Sequence, residues 1–221
     1  MIFVVLLGAP GAGKGTQAEI LAERLQIPHV ATGDLFRAAV RERSAIGLEA
    51  RRYMERGQLV PDEITVQMLL ERLAQSDADQ GVVLDGFPRT PAQAATLDSA
   101  LADHGAQVDH ALEIEVPLDE LVRRMSGRWI CSENGHVYNA VSHPPLVAGR
   151  CDLDDSPLLQ REDDKAETIR ARLDLQLGAL ADVSRHYRER GILRTVDGRR
   201  TIAQVTDDLL ALIGTVPRGA A

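Results

Sequence analysis

Residues 2–7 read Ile-Phe-Val-Val-Leu-Leu, apolar with no alternation, the pattern of a strand buried on both faces of a parallel sheet. From Lys14 to Leu25 the pattern changes. Ala18, Leu21, Ala22 and Leu25 recur at helical spacing, and Pro28 lies beyond the end of that helix. Residues 29–31 fit a short second strand. Thr32-Gly33-Asp34 opens another helix, with Thr32 or Asp34 as its N-cap. Residues 35–56 keep a mostly helical pattern, with a break near Ser44 or Gly47 and a stop at Gly57. Val60-Pro61-Asp62-Glu63 starts a further helix to about Leu73, with acids in its first turn. Residues 81–86 form a second buried strand that ends in an acid. Residues 91–102 read as helix, 110–116 as strand and 118–125 as a helix started by Pro117. A long helix is predicted over 162–190, with a break at Gly178, then a strand over 193–196 and a helix over 202–213. Residues 216–221 are expected to be a frayed tail. Strands alternating with helices predict an α/β fold with a doubly wound parallel sheet.

One stretch breaks the rhythm. From about residue 127 to 164 helical periodicity disappears, and Trp129, Val137, Tyr138, Val141, Pro144-Pro145 and several glycines suggest short strands and turns. That is too long for an ordinary loop, so it is read as a small β-rich subdomain inserted in the sheet-and-helix frame.

Bulk composition narrows the class. The chain has 221 residues, 44% of them hydrophobic, enough for one α/β core with appended subdomains. No apolar run approaches the roughly 18 residues that span a membrane, and the chain enters its first strand without a signal-like segment. A net charge of −8 disfavours nucleic acid as a partner. Two cysteines, Cys131 and Cys151, make no secreted disulfide framework. A cytoplasmic location is expected.

The chemistry begins at Gly8-Ala9-Pro10-Gly11-Ala12-Gly13-Lys14-Gly15-Thr16, between the first strand and the first helix. Glycines there let backbone N–H groups point inward around phosphate oxygens, the new helix adds its positive end, and Lys14 supplies a mobile charge. Only two of the 25 basic residues are lysines, Lys14 and Lys165, so a compact point charge has been kept where a phosphate loop (P-loop) needs one. The usual hydroxyl directly after the lysine is replaced by Gly15, with Thr16 following, which displaces the common side-chain ligand for magnesium. Asp85 closes an apolar strand whose end would lie beside this loop, a place from which it could hold magnesium directly or through water. Its competing role is a turn acid before Gly86. Arg37, Arg89, Arg124, Arg128, Arg161 and Arg172 sit at the ends of elements, where guanidinium forks could converge on phosphates. Arg124 and Arg128 share a helical face if their helix reaches that far. Many donors and no obvious nucleophile suit phosphoryl transfer. The six histidines have no matching partner motif and are read as structural or surface residues, with only His136 held open.

In combination, residues 8–16, Thr32-Gly33-Asp34-Leu35-Phe36-Arg37, Asp85-Gly86-Phe87-Pro88-Arg89 with Gln93, Arg124 to Arg128, and Arg161-Glu162-Asp163-Asp164 with Arg172 resemble the adenylate kinases, in particular the bacterial long-lid members, over nearly the whole chain. The resemblance implies a five-stranded P-loop core (residues 1–30, 74–126 and 165–221), a helical AMP-binding insert (31–73) and an ATP lid (127–164), in a monomer. It implies reversible transfer from Mg-ATP to AMP, giving two ADP. Gly11, Ala12, Gly13, Lys14, Gly15 and Thr16 would hold the ATP phosphates, Arg124 would stack on the ATP adenine, and Arg200 would join that site. Thr32, Arg37, Leu59, Val60, Gly86, Arg89 and Gln93 would form the AMP site, with Gln93 reading the adenine edge. Arg128, Arg161 and Arg172 would clamp the phosphates as the lid closes, and Asp85 would position the magnesium shell through water. Similar proteins share the Lys-Gly-Thr order, so the displaced hydroxyl fits the family.

Related lids often hold structural zinc on two Cys-x2-Cys pairs, or on one such pair with Cys-x2-Asp. The matching positions here are Cys131, Asn134, Cys151 and Asp154. Asn134 is a poor zinc ligand, and His136 or Glu133 is the candidate replacement. A metal-free polar lid and a disulfide are the alternatives.

Overall fold

The computed structural model describes residues 1–140, 143–160, 164 and 166–214. Strand β1 (Ile2–Leu7) lies at the centre of a five-stranded parallel sheet. Its neighbours are β3 (Gly81–Asp85) and β4 (His110–Glu115), and β2 (His29–Ala31) and β8 (Leu193–Asp197) close the edges, in the order β2-β3-β1-β4-β8. The unbroken apolar sequence of β1 follows from this place, because both of its faces are covered. Val4 and Leu6 pack against helices α1 (Lys14–Leu25), α6 (Leu118–Ser126) and α8 (Ile202–Gly214) through Leu21, Leu121, Met125 and Leu209. Phe3, Val5 and Leu7 pack on the other face against α4 (Asp62–Leu73) and α5 (Pro91–Ala102) through Leu69, Leu97 and Leu101. Helix α7 (Ala166–Glu189) serves both: Ile169 and Leu173 enter the first cluster, Val183 and Tyr187 the second.

The chain leaves β1 for one side of the sheet and later returns to its other side at β4. This switch point leaves a crevice beyond the C-terminal strand ends, where ligands of open α/β sheets bind. The P-loop fills the start of that crevice, and Asp85 lies next to it at the end of β3, paired in register with Leu6 of β1 and Ala31 of β2.

Two smaller clusters stand apart from the sheet. Phe36, Ala50 and Val60 form one, with α2 (Thr32–Arg41) and α3 (Ala45–Met54) supplying most of its wall. These helices approach so closely that a Cβ on Gly47 would lie 2.1 Å from the Ala39 carbonyl oxygen, so only glycine fits there. The other cluster is Cys131, Tyr138, Cys151 and Leu158, in an antiparallel sheet of β5 (Arg128–Cys131), β6 (Val137–Asn139) and β7 (Leu158–Leu159). Among the described residues, no helix is long and apolar enough to cross a membrane.

Most predicted elements appear where the hydrophobic pattern places them, including the break between α2 and α3, which is capped by Ser44, whose side chain accepts from the Gly47 N–H. There are three differences. Helix α2 starts at Thr32 itself and its N-cap is Ala31, not Thr32 or Asp34, because the Thr32 hydroxyl is drawn off to the Gly86 carbonyl at 2.9 Å. Helix α7 runs through Gly178 without interruption, held by the two clusters it contacts on either side of that residue. Helix α6 stops at Ser126, so Arg128 is a strand residue and shares no helical face with Arg124. The expected tail at 216–221 lies outside the described residues.

Candidate active site

The P-loop takes its shape from glycines at backbone angles closed to other residues: Gly8, Gly11 and Gly13 all have positive φ, and Gly13 is the N-cap of α1. The first N–H groups of α1 have no helical acceptor and face the crevice as anion donors. Lys14 folds back over the loop, its Nζ donating to the carbonyls of Gly8 at 2.8 Å and Ala9 at 3.0 Å. Burial lowers its pKa to about 8; Asp85 opposes the shift, and the guanidinium groups of Arg89, Arg172 and Arg128 add to it. The charges of three arginines separated by up to 83 positions in sequence are thus felt at one lysine.

Asp85 is the nearby acid. A Cβ on Gly15 would lie 3.6 Å from its Oδ2, so the missing side chain after the lysine is one that would have faced this carboxylate. Burial pushes the Asp85 carboxyl up, but His29 and Lys14 outweigh it and hold the group below the usual carboxylate range. His29 Nε2 stands 3.6 Å from Asp85 Oδ2, an ion-pair distance beyond hydrogen-bond reach, and is buried without a hydrogen-bond partner. His29 was read as structural or surface; the register of β2 on β3 brings it to the acid instead.

Next to the loop are two adjoining clefts. One, of about 410 Å³, runs from Gly8, Pro10 and Lys14 to Gly86, Pro88, Arg89 and Gln176. The other, of about 550 Å³, is lined by Thr32, Arg37, Leu59, Val60, Gly86, Arg89 and Gln93 among others. Every residue predicted for the second nucleotide site lies on this wall. The clefts share Leu59, Gly86, Arg89 and Gln176. Arg89 is fixed at the junction, its Nε donating to the Gly86 carbonyl at 2.7 Å and its Nη1 to Gln176 Oε1 at 3.2 Å.

A family model described as adenylate kinase matches residues 6–192. The chain is 48% identical to adenylate kinase of Exiguobacterium sibiricum over 211 residues, covering 96% of this chain and 98% of that protein. It is 46% identical to adenylate kinase of Lysinibacillus sphaericus over 95% of this chain and 97% of that one. It is 43% identical to adenylate kinase of Staphylococcus epidermidis over 95% and 98%. The chain belongs to the adenylate kinase family.

The remaining predicted residues divide by position. Arg128 and Arg172 meet at Asp164, a fully buried carboxylate that accepts from Arg128 Nε at 2.6 Å and Arg172 Nη1 at 3.2 Å. Arg124 is held on α6 by Glu120 at 2.7 Å and by the Gly198 carbonyl at 2.8 Å. The Arg200 side chain pairs with Asp208 of α8 and lines neither cleft. Arg37 lines the larger cleft and pairs with Asp34 one turn away. Arg161 lies outside the described residues.

Gln176, Asp164 and Asp62 line or brace the site and were not singled out from sequence. Gln176 joins Arg89 to the Gly57 carbonyl, which its Nε2 reaches at 3.3 Å, and so ties three distant segments together.

In the β5–β7 unit four side chains converge. Cys131, His136, Cys151 and Asp154 each offer a ligand atom, all within 4.8 Å of one another. His136 Nδ1 is 3.2 Å from Cys151 Sγ and 3.5 Å from an Asp154 oxygen, which is 3.2 Å from Cys131 Sγ. Asn134 stays outside this set and donates to Asp154 at 2.7 Å. Hydrogen bonds from Asn134 and the Ser156 N–H hold the Asp154 carboxyl well below the usual range, so it is anionic, as a ligand must be.

Proposed function

We propose that this chain catalyses reversible phosphoryl transfer from Mg-ATP to AMP, giving two ADP. The observation that carries the reading is the junction of the two clefts at Gly86, Arg89 and Gln176. A P-loop alone serves many nucleotide-binding proteins; a second cleft opening onto it serves transfer between two phosphate chains. Lys14 and the loop amides hold the donor phosphates, while Arg128 and Arg172, with Arg161, neutralise charge on the group in flight. Arg37 and Arg89 hold the acceptor phosphate, Thr32, Leu59, Val60 and Gly86 line its nucleoside, and Gln93 faces its base. Arg124 and Arg200 belong to the donor nucleotide side. The acceptor is already an anionic oxygen, so no general base is needed. Magnesium arrives with ATP and is met by Asp85. Residues 31–73 and 127–164 act as flaps that keep water from the transferring group. The protein works as a cytoplasmic monomer without nucleic acid.

The lid donors fit zinc. Two thiolates, an imidazole and a carboxylate make four ligands of the right type at mutual distances a tetrahedral ion can span. His136 takes the fourth place that Asn134 cannot fill, and the ion would fasten the turns that carry Cys131 and Cys151.

The deciding experiment incubates purified protein and Mg-ATP with AMP, UMP, CMP and GMP in turn. ADP formation fastest with AMP is expected. Transfer to none of the four would overturn the reading, and preference for another base would move the chain to a different nucleoside monophosphate kinase.

A further inference from the structure

Gln93 is buried, 2% exposed, yet lines the cleft assigned to the acceptor nucleotide. Both ends of its amide are committed to protein partners. Nε2 donates to Asp62 Oδ1 at 2.7 Å, and Oε1 accepts from the Arg89 backbone N–H at 2.7 Å. Asp62 is the first residue of α4, 31 positions away on a different element. Its other oxygen accepts from the Thr90 hydroxyl at 2.6 Å, and Thr90 in turn caps α5 by accepting from the Gln93 N–H at 3.1 Å. The two groups that hold the amide, the Asp62 carboxylate and the Arg89 N–H, each have one available sense. A carboxylate only accepts and a backbone N–H only donates, so the amide cannot turn over without setting Nε2 against an N–H and Oε1 against a carboxylate.

After these bonds the amide retains one hydrogen and one lone pair. This residual pair has fixed polarity. It matches a base edge that places a hydrogen-bond donor beside an acceptor, as adenine does with its amino group and ring nitrogen. Guanine and uracil present the opposite order, an oxygen acceptor beside a ring N–H, and a locked amide meets them like against like. A freely turning glutamine would satisfy either edge.

We propose that Asp62 is the positioning residue for base selection, locking the sense of the Gln93 amide so that the cleft prefers adenine over guanine. The inference rests on the reading of Gln93 as the residue that faces the base. It places part of the specificity on a residue of the insert that acts through Gln93, and it links selection to the seating of α4 against α5.

The test measures kcat and KM for AMP and GMP at saturating Mg-ATP in Asp62→Asn, Gln93→Leu and the double variant. Asparagine keeps the shape of Asp62 but can donate as well as accept, which relaxes the lock. For Asp62→Asn, KM for AMP should rise about tenfold and the AMP:GMP preference in kcat/KM should shrink by about the same factor. KM for ATP should stay within about twofold. Gln93→Leu should remove the preference, and adding Asp62→Asn to it should change the preference no further. Gln93→Leu with unaltered preference overturns the reading of Gln93 itself. An effective Gln93→Leu with an Asp62→Asn that keeps the full preference, or that raises KM for AMP and ATP together, leaves that reading standing and overturns the role of Asp62. If Asp62→Asn does not yield folded protein by thermal melting, Asp62→Ala, which removes the carboxylate acceptor altogether, takes its place with the same two outcomes.

Discussion

The crevice at the strand ends and the β5–β7 unit are held in shape by different means. Around the crevice, functional groups stand on a sheet buried on both faces, and hydrophobic packing supplies the rigidity. Lys14 and Asp85 follow directly from strands whose side chains are 0–6% exposed along most of their length. Among the described residues, the β5–β7 unit has only Cys131, Tyr138, Cys151 and Leu158 buried together, while Leu146, Val147, Leu153 and Leu159 are exposed. Four side chains are too few for a hydrophobic core to hold a fold of this size. Its order has to come from directional bonds among Cys131, Asn134, His136, Cys151 and Asp154, with or without an ion. A packed core can tolerate the removal of a polar group from its rim; a unit held by a few directional bonds cannot.

The largest effect that separates the two regions should come from Lys14→Ala. Turnover should fall by about 10²–10³-fold as the charge on the transferring phosphates is lost. The melting temperature should not fall, because burial and three arginines make the Lys14 charge costly to hold at neutral pH. A melting temperature lowered by several degrees would show that this lysine supports the fold as well as the chemistry.

Cys151→Ser should show the reverse. Zinc measured by atomic emission on protein purified without chelator should fall from about one per chain to near none. Stability should drop by about 2 kcal/mol, or roughly 4–8 °C for a chain of this length, while transfer persists at a reduced rate. Absence of zinc in the unsubstituted protein would assign the lid's order to its hydrogen bonds alone.

The smallest effect is a proton count. Lys14 in the free protein titrates near 8, below its ordinary 10.5. Polyphosphate binding favours the charged form and raises the pKa again, so between about pH 8 and 10 nucleotide binding should take up a fraction of a proton. At about pH 6 both states carry the charge and the uptake should vanish. Calorimetry in buffers of different ionisation enthalpy reads this directly, and Lys14→Ala should abolish it.

These differences also explain what could be read from the chain. The sheet strands and their helices were legible because burial on one or two faces leaves a periodic mark, and the P-loop because its glycines, lysine and helix start are contiguous. Helix limits were less so. Thr32 has the chemistry of an N-cap, but its hydroxyl goes to Gly86, 54 positions away. Gly178 has the propensity of a helix breaker, but packing on both sides overrides it. The meeting of Arg128 and Arg172 at Asp164 was visible only as a set of element-end arginines. Asp62 and Asp164 stand in stretches that the sequence marks, the acidic start of α4 and the run Arg161-Glu162-Asp163-Asp164, but nothing local points from them, or from His29 or Gln176, to the partners they meet. Their roles depend on register and on partners 28 to 119 positions away for His29, Asp62 and Gln176, and on the junction of β5 with α7 for Asp164. In the β5–β7 unit, Cys131 and Cys151 were readable, but that His136 and not Asn134 joins their cluster depends on which way a short turn projects each side chain.

The bare Cα of Gly15 opposite Asp85 has a consequence for supply. One carboxylate is a weak anchor for a small, strongly hydrated cation, so under the proposed reaction the resting protein would keep no stock of the ion. What it would exchange with its surroundings is the whole chelate, nucleotide and magnesium together, arriving and departing as one cargo. Its rate would then follow how much of the nucleotide pool is already complexed in solution, and free nucleotide would compete as an empty carrier.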